Sequence, residues 1–182
     1  MVNVRHKGSG MHRKNGFTLI ELLITLALLA ILMGVAIPNM TQFLVNQRVS
    51  AQANELISSL ALARSEASKR NANIVVLPVT NAPNGWSGGW CTGPATIDNC
   101  LHADVITHYQ PKASDVTITS TYLVSGNRLT FRRDGTLLAP GAAAPFKISS
   151  ARLTATSSNA RCINLNGLGK ATITKVKPDV DC

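Results

Sequence analysis

The sequence predicts an α+β protein in which one long N-terminal helix packs on an antiparallel β domain carrying two disulfides. Three observations predict it. An apolar run whose only charge is Glu21 passes into a helical stripe with no Gly or Pro from Asn39 to Arg70. From Ile74 onward the pattern changes to short alternating runs separated by Gly, Pro, Asn and Asp, as strands and turns require. Strands gathered after a helix, rather than interleaved with helices, favour an antiparallel sheet laid against it. All four cysteines (Cys91, Cys100, Cys162, Cys182) fall in that second part.

The apolar run comes first. Arg5, Lys7, Arg13 and Lys14 precede Gly16, and no acid does. Phe17 to Ile37 is a run of 21 residues. At the rise of an α-helix it is about 31 Å long, close to the hydrocarbon thickness of a bilayer. A carboxylate inside such a run costs roughly 2–3 kcal/mol on the gentlest scale, so Glu21 needs a reason. A secretory signal cut near Gly34-Val35-Ala36 and a plain anchor with cytoplasmic basic residues both fit the apolarity. Neither explains Glu21 or the Gly-Phe step at the border.

Gly34 and Pro38 weaken the helix at the end of the run, where a kink or local melting is expected. It then resumes. Ala53, Leu56, Ile57, Leu60 and Ala63 recur at helical spacing after Met40, Phe43 and Leu44, with Gln47, Arg48, Gln52, Glu55, Arg64 and Glu66 supplying polar positions. A helix from Phe17 to Arg70 would reach roughly 80 Å, half apolar all round and half amphipathic. The amphipathic half must pack on the chain that follows.

Asn71 and Asn73 end the helix and Ile74–Leu77 opens the β part. Residues 80–104 read as a long loop rich in Gly, Pro and Asn. Trp86 and Trp90 lie in it beside Cys91, either as a partner-contact surface or as rings covering the disulfide and the sheet edge. Strands are expected over Val105–Tyr109, Val116–Val124, Arg128–Arg133, Phe146–Ser149, Leu153–Thr156, Arg161–Asn166 and Ala171–Val176, with a hairpin turn at Asp134-Gly135 and a small-residue loop over Ala139–Pro145. The chain thus divides into a leader (1–16), a transmembrane and assembly helix (17–38), the amphipathic half of the helix (39–71) and a β-rich head (72–182).

An even cysteine count in an exported domain reads as two disulfides, of which four cysteines allow three connectivities. Cys91–Cys100 with Cys162–Cys182 is favoured because each closes a short loop, contributing about 2.5–3.5 kcal/mol by chain entropy. The rival is a metal site using Cys91, Cys100 and His102 or His108, whose spacing matches no zinc pattern.

Gly16-Phe-Thr-Leu-Ile-Glu21-Leu-Leu23 resembles the class III signal of type IV prepilins and type II secretion pseudopilins. The resemblance implies a prepilin peptidase cutting between Gly16 and Phe17 and methylating Phe17. It implies assembly through the N-terminal helix with other minor pilins and the major pilin. The precursor would sit in the inner membrane, single-pass with a periplasmic head, before passing to an extracellular pilus. Glu21 then has a physical role: the cationic Phe17 amine of a neighbouring subunit can neutralise it in a low-dielectric filament core. Met11 supplies a second candidate start beside Met1.

Arg128-Leu-Thr-Phe-Arg-Arg-Asp-Gly135 with Cys162-Ile-Asn-Leu-Asn-Gly-Leu-Gly-Lys170 is similar to minor pilins of the FimU and FimT kind and to GspH pseudopilins. The resemblance implies a minor pilin that initiates assembly at or near the pilus tip. The alternatives are a FimT-like DNA receptor and a secretion pseudopilin. The DNA-binding members carry Gly-Arg-x-Arg where this chain has Gly169-Lys170-Ala171-Thr172, so the planar guanidinium forks that hold phosphate are missing.

Charge and motifs narrow the chemistry. The net charge is +9, with 18 basic and nine acidic residues; beyond the leader it falls to +5. Arg161, Lys170, Lys175 and Lys177 form a candidate phosphate patch opposed by Asp179 and Asp181, and DNA is the less favoured partner. No Gly-x-Ser-x-Gly, His-Glu-x-x-His or phosphate loop is present. Neither an enzyme nor a cofactor is expected.

Overall fold

Helix α1 spans Leu19–Arg70. In the computed structural model, residues 16–80, 85–111, 114–120, 127–138 and 145–182 are described, without the side chains of residues 35, 36, 38 and 39. The leader before Gly16, both candidate starts, the end of the strand expected over Val116–Val124 and most of the loop expected over Ala139–Pro145 lie outside the described residues.

Local chemistry sets both ends of α1. Thr18 is the N-cap: its Oγ1 accepts the Glu21 N–H at 3.2 Å and its carbonyl accepts the Leu22 N–H at 3.2 Å. The first bond satisfies one of the four donors a helix start leaves free, and the second is the first bond of the helix itself. At the other end Asn71 turns to φ 50°, and the Ala72 N–H reaches the Ala67 carbonyl at 3.2 Å. That is a Schellman closure with asparagine in the left-handed position. The melting expected at Gly34 and Pro38 does not occur. Pro38 removes one donor, yet α1 runs through it without a break.

The molecule forms two units, divided between Asn39 and Met40. In the first, every large apolar side chain from Phe17 to Met33 is exposed. Among the described residues no helix is long and apolar enough to cross a membrane; the sequence run Phe17–Ile37 continues through Val35 and Ala36, whose side chains are outside that set.

The second unit has its own core. Val45, Val49, Ala53, Leu56, Leu60, Ala63 and Ala67 make one buried stripe along α1, the face that an amphipathic helix gives to a core. Gln52 and Glu66, two of the polar positions around the stripe, are buried with it. Glu66 is covered because Arg70 pairs with it and Lys69 lies 3.4 Å away.

Two four-stranded antiparallel sheets complete the head. The first contains β1 (Ile74–Pro78), β2 (Trp90–Pro94), β3 (Thr107–Tyr109) and β5 (Leu129–Phe131), in the order β3-β2-β1-β5. The second contains β4 (Thr117–Thr119), β6 (Phe146–Ser149), β7 (Ala160–Leu165) and β8 (Ala171–Val176), in the order β4-β6-β7-β8. Every residue of β1 is buried. Ile74 and Val76 join the main core with α1, while Val75 and Leu77 join a second cluster with Cys91, Ile97 and Cys100. A strand covered on both faces reads as an unbroken apolar run.

Two expected features are corrected. Residues 80–104 are not all loop: a 3-10 turn at Gly85–Gly88 leads into β2, which pairs with β1 and β3. Gly93 disguised that strand, yet it belongs there, because a Cβ would sit 2.6 Å from Ile97 Cδ1. Leu153–Thr156 is not a strand but a pair of turns, closed by Leu153 N–H to Ser150 O and Ser157 N–H to Thr154 O, both 3.1 Å. The Gln42 side chain holds it to α1 through Arg152 O and Thr154 N.

Candidate functional site

The N-terminal motif is built for access. Gly16 and Phe17 precede the first helical turn, both are exposed, and nothing lies within 4 Å of a Cβ placed on Gly16. A peptidase needs an open, non-helical bond, and the Gly16–Phe17 link is one. Thr18 starts the helix immediately after it, which places Glu21 in the first turn. An acid there complements the positive end of the helix dipole. Its carboxylate is solvent-facing and one turn from Phe17.

The head holds its disulfides as the loop argument favoured. Cys91 joins Cys100 and Cys162 joins Cys182, with Cα separations of 5.5 and 5.7 Å. Both sulfurs of the rival metal set are thereby used. Among the described residues no three His, Cys, Asp or Glu side chains are grouped to hold an ion.

Neither tryptophan is a surface contact. Trp86 and Trp90 are 0% and 1% exposed and belong to the main core, while Cys91 and Cys100 lie in the separate cluster. The rings therefore do not cover the disulfide. Trp86, in the 3-10 turn, meets Phe146 of the second sheet edge-on at 4.9 Å, and its Nε1 donates to Asn127 Oδ1 at 2.9 Å. Trp90 stacks on Tyr109 at 4.3 Å. Burial, and then the nearby Glu55 carboxylate, push the Tyr109 hydroxyl above its ordinary pKa.

The four cations singled out in the sequence do not form one patch. Arg161 is buried, and its guanidinium donates to Asn46 Oδ1, Ser50 Oγ and the carbonyls of Asn159 and Ala160. It ties β7 to α1, and burial lowers its pKa below the usual arginine value. Lys170 stands before β8 and Lys177 beyond it, so the strand sets them roughly 20 Å apart. Lys175 lies between, opposite Arg161.

A different group escaped the sequence reading. The turn after β5 places Arg132, Arg133 and Asp134 beside the end of α1. The Arg132 N–H bonds Thr136 O at 2.7 Å, the Gly135 N–H bonds Arg132 O at 2.8 Å, and Gly135 takes φ 80°, a tight hairpin loop that needs a left-handed residue. Asp134 accepts from the N–H and Oγ1 of Thr136 at 2.9 and 2.6 Å, which holds its carboxyl below the usual range. Arg64 Nε donates to Gly135 O at 3.1 Å. The signal was Arg-Arg-Asp-Gly at a turn, read for its hairpin and for the family resemblance but not as a charged group.

The first unit exposes its apolar side chains while the second buries its own core, and an exposed apolar helix ahead of a self-contained α+β head is the architecture of a pilin-type subunit. Comparison with known proteins agrees. Residues 52–169 match the family described as Type II transport protein GspH, and residues 11–37 match the prokaryotic N-terminal methylation motif. The first match spans more than half of the chain, which therefore belongs to the GspH family. Two crystal structures of the type IV minor pilin FimU from Pseudomonas aeruginosa PAO1 share the fold. One has 21% identity and a TM-score of 0.55, over 69% of this chain and 91% of that one. The other has 22% identity and a TM-score of 0.57, over 70% and 89%. A search of curated proteins finds no match. The chain is thus a GspH-family protein with the fold of a type IV pilin, and that family and fold are not those of an enzyme. The methylation motif implies a membrane-anchored form before assembly.

Proposed function

We propose that this chain is a minor type IV pilin that initiates pilus assembly and sits at or near the tip. A prepilin peptidase cuts between Gly16 and Phe17, and Phe17 is methylated. The segment Phe17–Ile37 holds the chain in the inner membrane with its head in the periplasm until assembly draws it into an extracellular pilus. There the N-terminal helix packs against other minor pilins and the major pilin, and Glu21 neutralises a neighbour's Phe17 amine. The observation that carries this reading is the exposed Gly16–Phe17 link directly ahead of a capped first turn bearing Glu21. The intact mass of the chain from its native host tests it. The expected species begins at methylated Phe17; an uncut leader, or a cut near Ala36, contradicts it.

The GspH match favours a second reading, a pseudopilin of type II secretion. Deleting the chain separates the two, because a pilin loss reduces filament number and a pseudopilin loss reduces secreted enzyme. The DNA-receptor alternative has less support, since Arg161 is internal and Lys170 lacks the arginine fork.

A further inference from the structure

The end of the head where α1 terminates carries four exposed cations (Arg64, Arg132, Arg133 and Lys170) that form no ion pair among the described residues. Arg64 and Lys170 line a cavity of about 490 Å³, and Arg132 and Arg133 line a second of about 500 Å³. Asp134 borders both. The acids here are already committed, Asp134 to Thr136 and Glu66 to Arg70 and Lys69. Arg64 uses only its Nε internally, which leaves both terminal nitrogens for a partner. The ledge is fixed, because the turns presenting it touch: a side chain on Gly169 would collide with the Gly135 carbonyl.

We propose that this ledge docks an acidic protein surface, with Arg64 and Lys170 taking one set of carboxylates and Arg132 and Arg133 another. Three features favour a protein over a nucleic acid. A phosphodiester chain carries closely spaced charge and would have to cross the Asp134 carboxylate, whereas separate carboxylates enter either hollow and avoid it. Among the described residues no aromatic side chain lines either hollow, so unpaired bases have nothing to stack on there. Exposed leucines stand beside the cations, Leu138 in the second hollow and Leu168 one residue before Gly169 at the first. Arginine is enriched at protein interfaces, and the exposed leucines add apolar area that a protein partner can cover. Given the reading of the chain as a minor pilin, the partner is a neighbouring subunit with an acidic face.

Carbodiimide treatment of intact pili or native membranes tests this, since it joins an amine to a carboxylate only where the two are in contact. The expected product is an amide between Lys170 and an Asp or Glu of another pilin-fold subunit, identified by peptide mass. Lys170→Arg should abolish the link while keeping the charge. Arg132→Glu with Arg133→Glu should cut its yield roughly tenfold while the thermal midpoint of the head stays unchanged. An unlinked Lys170, a link only to Asp134 of its own chain, or full yield after the double charge reversal would each overturn the proposal. So would a short DNA duplex that binds the full chain in detergent and is released by the same reversal. Failure of the pilin reading is separately visible, because the N-terminal mass reports it whatever Lys170 touches.

Discussion

The two halves of α1 belong to one continuous helix and are opposite in surroundings. From Phe17 to Met33 every large apolar side chain is exposed, whereas from Val45 to Ala67 one stripe is buried against the head's own sheets. The later half is amphipathic and needs one covered face. The earlier half is apolar all round, with Glu21 its only charge, and no single sheet can cover it. One helix thus holds a folding surface and, as we propose, an assembly surface in sequence. Mutations should separate them.

The largest separation is expected between two leucine truncations. Leu60→Ala removes a buried side chain and should destabilise the head by about 2–5 kcal/mol in denaturant unfolding of the full chain in detergent. Leu23→Ala removes the same atoms from the exposed half and should shift it by less than about 0.5 kcal/mol. An equal loss would break the comparison. Replacing Cys162 and Cys182 together by Ser should cost about 3 kcal/mol, because that bridge closes the longer loop. Arg161→Met strands Asn46 and Ser50, and a loss of about 2 kcal/mol is expected in the same measurement. Gly135→Ala places a side chain at φ 80° and should cost about 1 kcal/mol.

The smallest effect is a pH dependence confined to the head. Arg70 holds the Glu66 carboxyl below its ordinary value, and Thr136 does the same for Asp134. A carboxyl depressed on folding stabilises the native state above its unfolded pKa and loses that contribution as pH falls through the folded one. Head stability should therefore decline as pH drops below the ordinary carboxylate range. Glu66→Gln should shallow that decline, as thermal midpoints across the range will show.

The sequence made the helix, its termination at Asn71 and the motif at Gly16–Glu21 legible, because each is written in adjacent residues. Ala53, Leu56, Leu60 and Ala63 were readable as a buried face from spacing alone. Strand β2 was not, since Gly93 and Pro94 speak for a loop and only the packing of Ile97 explains the glycine. Leu153–Thr156 misled in the opposite direction: its alternation suited a strand, but Gln42, more than a hundred positions away, holds it as turns. The burial of Trp86, Trp90 and Arg161, and the meeting of Arg64 with the turn at Gly135, depend on contacts between distant segments. No local pattern encodes them.

The central claim is that the exposed half of α1 is an assembly surface keyed by Glu21. The direct measurement is the amount of Glu21→Ala chain incorporated into sheared pili, beside its amount in membranes. Normal cleavage after Gly16, an unchanged melting midpoint and loss of incorporation are predicted. Wild-type incorporation of the processed variant would contradict the account.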